Sequence, residues 1–412
     1  MPANQPTRLK GFDEIDPTLW EGPVLEVVKE ATNNFIRERL GETRILAASM
    51  DWFVEEWGRD TFISLPGLLL VNSRFDEAKS VLRRMARLEN NGLLPNVISE
   101  KGISYNSADA SLWFFYALKK YVAYTNDWGL VKELLPTIRR ILRAYIEGTG
   151  YCRYGRLQRI FLDKDGLIVS PPQATWMDAD AYGRLQPVTP RNGKAVEINA
   201  LFYAALKFLR ELEKELEMEV RGLEELLEQT RRAFNDKFWD GERNVLFDVI
   251  EGDPHGSAIR PNMVVAAVVG GDLLPIDRKI AIFERARAEL LTPGGLRTLS
   301  PYDPKYIGTY DTFAPVEIKD LAYHQGTAWP WLMGFFCDLL VEIRRYEERS
   351  EESIREELRW LIGPLVAFCL ESPYRSLPEL FSGDPPHEPG GTRSQAWSVA
   401  EVLRLLVEYE LV

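Results

Sequence analysis

Two carboxyl side chains stand out by the company they keep. Asp178 follows Trp176 in "ATWMDAD", and Glu379 sits in the proline- and glycine-rich "SLPELFSGDPPHEPGG" at 376–391. A pair of carboxyls can cut a glycosidic bond: one protonates the leaving oxygen, the other activates water or attacks. Clusters of similar makeup recur along the chain. Trp57, Arg59 and Asp60 lie in "EEWGRDT", and Asp109 lies in "YNSADASLW". Arg191 and Glu197 lie in "TPRNGKAVE", and Arg260 in "AIRPN". His324, Gln325 and Trp329 share "AYHQGTAWPW", and Gln395 and Trp397 share "RSQAW". One such cluster would be ordinary, because acids cap helices and tryptophans fill cores. Aromatic faces ringed by carboxylates, amides and arginines suit a neutral polyhydroxyl ligand. Its rings offer apolar faces for stacking, and its hydroxyls need hydrogen bonds.

Those residues need elements to bring them together. Helical periodicity dominates, with no convincing alternation of strand and helix. Twelve helices are expected near 22–40, 60–72, 75–89, 107–125, 128–147, 194–214, 217–236, 261–270, 275–290, 323–345, 351–371 and 393–409. Links after even-numbered helices are short, such as "NSRF" and "TND"; links after odd-numbered helices are long and hold nearly all the clusters. Short links make antiparallel neighbours. Six hairpins closed in a ring would give an all-α (α/α)6 toroid with even helices inside. The long links would then gather in a funnel at the N-termini of the inner helices, which offer free N–H groups and partial positive charge. An irregular helical domain without closure is the alternative. In a ring of six, the third inner helix stands opposite the sixth. Asp178 and Glu379 precede those two, so they should face each other. Asp60 and Asp109 precede the first and second inner helices and face no other cluster carboxylate so directly. Asp180 is the fallback acid.

Composition narrows the function classes. The 412 residues carry a formal net charge of −12 and are 45% apolar. That is ample for a large core and argues against a nucleic-acid surface, which needs clustered Lys and Arg. Charge runs such as "RELEKELEMEVRGLEELLEQTRR" read as solvated helix faces. No apolar stretch approaches the roughly 20 residues of a membrane span, and the N-terminus has no apolar signal core. Cys152, Cys337 and Cys369 are isolated, which fits a reducing cytoplasm better than a disulfide framework. "DKDG" at 163–166 reads as a β-turn rather than a calcium loop, and His255, His324 and His387 fall on three different loops. Neither a metal nor an organic cofactor is expected.

Taken together, "WGRDTFISLPGLLL", "TWMDA", "TPRNGKAVEINAL", "AYHQGTAWPW" and "LPELFSGDPPHEP…SQAWSVAEVLR" resemble the C-terminal amylo-α-1,6-glucosidase domain of glycogen debranching enzymes. The motifs fall in order from residue 57 to 404. The resemblance implies an (α/α)6 toroid related to glucoamylase and an inverting reaction that removes α-1,6-linked glucose from glycogen. It implies Asp178 as general acid, Glu379 as general base, and Arg59 and Asp60 as groups that grip the terminal glucose. Relatives often carry an N-terminal β-sandwich or a transferase domain, and neither is evident in this sequence. The expectation is one glucosidase domain over 1–412, with an N-terminal extension at 1–20. It would work in the cytoplasm on branches already shortened by a separate glucanotransferase or phosphorylase. The 303–320 segment, "DPKYIGTYDTFAPVEIKD", is not clearly family-like. Rival readings are a glucoamylase- or trehalase-type α-glucosidase, a glycoside phosphorylase using phosphate in place of water, and a non-catalytic glycan-binding toroid.

Overall fold

The computed structural model describes residues 7–153, 155–180 and 187–412; residues 1–6, in the expected N-terminal extension, 154 and 181–186 lie outside the described residues. Thirteen α-helices occur among the described residues. They are α1 (Val24–Thr32), α2 (Gly58–Leu65), α3 (Phe75–Arg87), α4 (Ala110–Thr125), α5 (Trp128–Glu147), α6 (Val196–Glu215) and α7 (Leu223–Lys237). Then come α8 (Asn262–Val269), α9 (Ile276–Glu289), α10 (Val316–Tyr323), α11 (Leu332–Tyr346), α12 (Glu351–Glu371) and α13 (Ala396–Glu408).

Burial sorts most of these helices into two layers. In α3 and α7 one side is buried (Ala78, Val81, Leu82, Arg84, Met85 and Ala86; Leu223, Leu227, Thr230 and Phe234), as surface helices require. In α8 every residue from Asn262 to Ala267 is buried, and α6 is buried on most sides over its first three turns. Helices apolar all round must be enclosed by others. Their packing partners close on themselves: α2 packs on α4, α4 on α6, α6 on α8, α8 on α11, α11 on α13, and α13 on α2. The helices α1, α3, α5, α7, α9 and α12 lie against the outside of this ring.

The seams of the ring depend on two glycines. A Cβ on Gly67 would lie 1.9 Å from the Ala400 carbonyl oxygen on α13, and one on Gly334 would lie 1.7 Å from Glu401 Oε2. The helix carrying Gly67 also widens: after Leu65 it continues as the π-helical turn Pro66–Leu70, where Val71 N–H donates to Pro66 O at 3.1 Å. Pro66 has no N–H to give to the regular ladder, and its ring crowds the preceding turn.

Several expectations are corrected. The first helix stops at Thr32 because Ile36–Arg39 pairs antiparallel with Glu42–Ile45. Leu40 and Gly41, both with positive φ, make the two-residue turn. The fifth inner helix starts at Leu332 and not near 323. Gly326 (φ +151°) and the strand Ala328–Trp329 precede it, and Pro330 biases Trp329 towards extended backbone. The 303–320 segment contributes most of a helix, α10. Short strands cross-link the long links. The largest such sheet runs antiparallel through Leu291–Thr292, Gly295–Arg297, Ala328–Trp329, Leu380–Phe381 and Pro389–Gly390. It ties the approach to α11 to the approach to α13. One continuous buried cluster runs from Leu9 to Leu411. Phe12 stacks on Trp360 of α12, with ring centroids 4.4 Å apart.

Candidate active site

A cavity of about 360 Å³ opens where the approaches to the ring helices converge. Asp178 reaches it from the link before α6, and Glu379 from the link before α13. Those helices stand three steps apart in the ring of six, so the carboxyls enter from opposite sides. Trp57, Arg59, Asp60, Trp176, His324 and Trp329 line the same cavity, with Gln395 and Trp397.

Glu379 is 2% exposed and held at both oxygens. Tyr323 Oη donates to Oε1, and Thr392 N–H donates to Oε2 at 3.1 Å. Its own N–H donates to Thr392 O at 2.9 Å. The strand Leu380–Phe381 fixes the backbone by pairing with Pro389–Gly390 and Ala328. Gly391 (φ +69°) permits the close return of the chain; a Cβ there would lie 2.1 Å from Glu379 Oε2. Burial pushes the Glu379 carboxyl up to about 7, against the two donated hydrogen bonds, which favour the ionised form.

Asp178 is more open, its side chain 25% exposed, with Oδ2 at 3.6 Å from Arg59 Nη1. Desolvation raises its carboxyl above the ordinary range, while Arg59 and Arg153 pull the other way. Arg59 Nε donates to Asp109 Oδ2 at 2.6 Å, and Ser107 Oγ donates to Asp109 Oδ1 at 2.5 Å. Asp60 accepts from Gln395 Nε2 at 3.0 Å, and burial pushes it up to about 7.

Several polar atoms on the cavity wall are buried without a protein partner: Arg59 Nη2, Trp57 Nε1, Trp397 Nε1 and both ring nitrogens of His324. Burial and the nearby Arg260 push the His324 imidazole well below its usual range, so it is neutral, with one donor and one acceptor. Its ring stacks on Trp329, centroids 5.4 Å apart, and meets Trp176 edge-on at 5.3 Å. Buried polar groups are ordinarily satisfied, so a cluster of unpaired ones around a cavity calls for a hydrogen-bonding ligand or ordered water.

The remaining expected ligand-contacting residues, Asp109, Arg191, Glu197, Arg260 and Gln325, do not line this cavity and are held by protein partners. Asp109 orients Arg59. Arg191 is fully buried, donating to Glu197 Oε2 at 2.6 Å, Asp248 Oδ2 at 2.7 Å and Thr175 Oγ1 at 2.9 Å. With Glu197 it ties the link carrying Asp178 to the start of α6. Arg260 donates to His324 O at 2.7 Å and Gln325 Oε1 at 2.6 Å, so Arg260 and Gln325 brace His324. Each answers a buried charge with a protein partner, which leaves little for a ligand. The "DKDG" segment is a turn, with Gly166 N–H donating to Asp163 O at 2.9 Å. Its carboxylates, with Glu251, are gathered around the ammonium groups of Lys194 and Lys237.

Sequence reasoning missed Trp52, Phe53, Tyr310, Val316, Lys319, Asp320 and Tyr323, all lining the cavity. Four of them had a signal. Val316, Lys319, Asp320 and Tyr323 fall at i, i+3, i+4 and i+7, one face of a helix. Burial pushes Asp320 up to about 6, helped by Asp178 and Asp180.

Comparison with known proteins agrees with this geometry. The amylo-alpha-1,6-glucosidase family matches residues 30–404. The glycogen debranching enzyme of Saccharomyces cerevisiae is 27% identical over 447 aligned residues, covering 85% of this chain. The chain spans only 29% of that enzyme's length. Among solved structures, a GH63 mannosylglycerate hydrolase from Thermus thermophilus, in complex with glucose, superposes with a TM-score of 0.63 at 14% identity, covering 93% of this chain and 99% of that one. A rhamnosidase from Klebsiella oxytoca with rhamnose bound superposes at 0.58 with 15% identity, covering 95% of this chain and 64% of that one. At such identities these likenesses establish the fold alone. No helix among the described residues is long and apolar enough to cross a membrane. With its family match running nearly end to end and a carboxyl-lined cavity at the convergence of its helices, the chain belongs to the amylo-alpha-1,6-glucosidase family of glycoside hydrolases.

Proposed function

We propose that the protein releases glucose from single α-1,6-linked glucosyl stubs on an α-glucan, with inversion, on an (α/α)6 toroid of six hairpins. The observation that carries this reading is one cavity that Asp178 and Glu379 enter from opposite sides, lined also by donors with no protein partner. Asp178 protonates the glycosidic oxygen, and Glu379 takes a proton from the attacking water. An inverting pair must leave room for that water, roughly 6.5–9.5 Å between carboxyls, and entry from opposite links supports such a gap. Two donated hydrogen bonds suit Glu379 to the ionised role of the base. The openness of Asp178 suits it to meet the leaving oxygen, which points outward with the rest of the glucan. Arg59, Asp60, His324 and the indole N–H groups of Trp57 and Trp397 hold the hydroxyls of the trapped glucose, and Trp176 and Trp329 form an aromatic wall. The free thiols of Cys152, Cys337 and Cys369 suit a reducing, cytoplasmic setting, and a separate transferase or phosphorylase would trim the branches first.

The test is incubation with a 6-α-glucosyl maltooligosaccharide, with and without inorganic phosphate. Free glucose at equal rates in both supports hydrolysis. Glucose 1-phosphate formed only with phosphate would indicate a phosphorylase, and binding without release would indicate a lectin-like toroid.

A further inference from the structure

The helix missed in the sequence, α10, reaches from the proposed base to open solvent. Tyr323, at its inner end, bonds Glu379. One turn out, Lys319 and Asp320 line the cavity, and a turn further Val316 lines its mouth while 55% exposed. Three residues beyond, Phe313 is 98% exposed. At 1.5 Å per residue, Tyr323 to Val316 spans about 10 Å. Lys319 Nζ lies 4.6 Å above the ring of Trp52. The loop carrying Trp52 is anchored where Arg393 Nε donates to Asp51 Oδ1 at 2.9 Å.

Scattered exposed apolar residues are normal on a protein surface. These are not scattered: Val316 belongs to the helical face that lines the cavity, Phe313 lies in the turn that leads into that helix, and Trp52 lines the cavity beside Lys319. The strip alternates apolar faces (Phe313, Val316, Trp52) with charged handles (Lys319, Asp320). A dry protein interface would leave those charges unpaired, whereas a sugar chain offers both apolar ring faces and hydroxyls.

We propose that Phe313, Val316 and Trp52 form an aglycone platform, on which the main α-1,4-glucan chain lies while its stub enters the cavity. The proposal deepens, and rests on, the hydrolytic reading above. It makes α10 the element that selects for a stub borne on a glucan over a stub on a small leaving group.

Two measurements test it. The first is binding of linear maltoheptaose to the intact protein and to Phe313→Ala and Phe313→Trp, by titration calorimetry. Phe313 is almost wholly exposed, so its replacement leaves the core untouched. Loss of a stacked aromatic should weaken binding about tenfold in Phe313→Ala, and the tryptophan variant should restore it. The second is kcat/KM on a 6-α-glucosyl maltooligosaccharide divided by kcat/KM on α-glucosyl fluoride, which has no glucan to dock. That ratio should fall about tenfold in Phe313→Ala, and also in Trp52→Ala. Glucose release with an unaltered ratio, or maltoheptaose binding indifferent to Phe313, would overturn the platform. Phe313-dependent binding with no glucose released would uphold the platform and overturn the hydrolytic reading.

Discussion

At the scale of single residues, two carboxyls in different settings carry the proposed chemistry. Glu379→Gln cannot accept the proton of water, and Asp178→Asn cannot give one to the leaving oxygen. Each should fold normally and lose about 10²–10⁴-fold in kcat on a glucosyl-branched oligosaccharide. A loss under tenfold would remove that residue from its role. The pH profile carries a second prediction. Burial pushes Glu379 up to about 7, so the proposed base is ionised above that pH and protonated below it. The kcat/KM of the free enzyme should therefore fall as pH drops through about 7. Tyr323→Phe removes a donor that favours the ionised form, so the low-pH limb should shift to higher pH. A limb that stays where it was in that variant would mean another group sets it.

At the scale of elements, the chain's return beside Glu379 is the tightest point. Gly391→Ala sets a Cβ 2.1 Å from the Glu379 carboxylate, at a φ of +69° that side chains resist. It should cost at least tenfold in kcat, because the proposed base must turn away. Crystallography of the variant with Glu379 undisplaced would refute this. The paired clusters around Asp178 and Glu379 were legible because link lengths alternate and therefore dictate which helices neighbour which. Residues such as Arg191, Glu197 and Arg260 do not line the cavity, and sequence shows only that a charge lies near the mouth. Whether it faces the cavity depends on a partner such as Asp248, which lies 57 residues from Arg191. The α10 face was hidden by Gly308, Pro315 and short length, although the spacing of Val316, Lys319, Asp320 and Tyr323 was readable. The hairpin at 36–45 had only a weak signal, Gly41 between the short polar runs "IRER" and "ETRI", and a helix over 22–40 was the competing reading.

At the scale of the whole molecule, the ring needs fastening away from the cavity. Arg404 of α13 is fully buried and donates to Asp338 Oδ2 of α11 at 2.9 Å, to Glu401 Oε2 at 2.7 Å and to Glu408 Oε2 at 2.7 Å. Glu408 also accepts from Tyr124 of α4 at 2.7 Å. Removing one partner from such a network strands the others, so Arg404→Ala should destabilise the fold by about 3–5 kcal/mol in denaturant titration. A loss below about 1 kcal/mol would contradict this role. Burial raises the Glu408 carboxyl, but Arg404 and Lys120 outweigh it and bring it down to about 2. A depressed carboxyl stabilises the fold above its ordinary value of 4.5 and loses that contribution as pH falls towards 2. The wild-type melting temperature should therefore drop across that window, and Arg404→Ala should flatten the drop. On intact glycogen, a site built for a single stub should work slowly alone and faster once a glucan-transferring enzyme has shortened the branches. The most direct test of the account is proton NMR of the first glucose released from a 6-α-glucosyl maltooligosaccharide, before mutarotation, with Glu379→Gln as control. An inverting hydrolase with Glu379 as base gives β-glucose from the wild type and almost none from the variant; α-glucose appearing first, or undiminished release by Glu379→Gln, would contradict this.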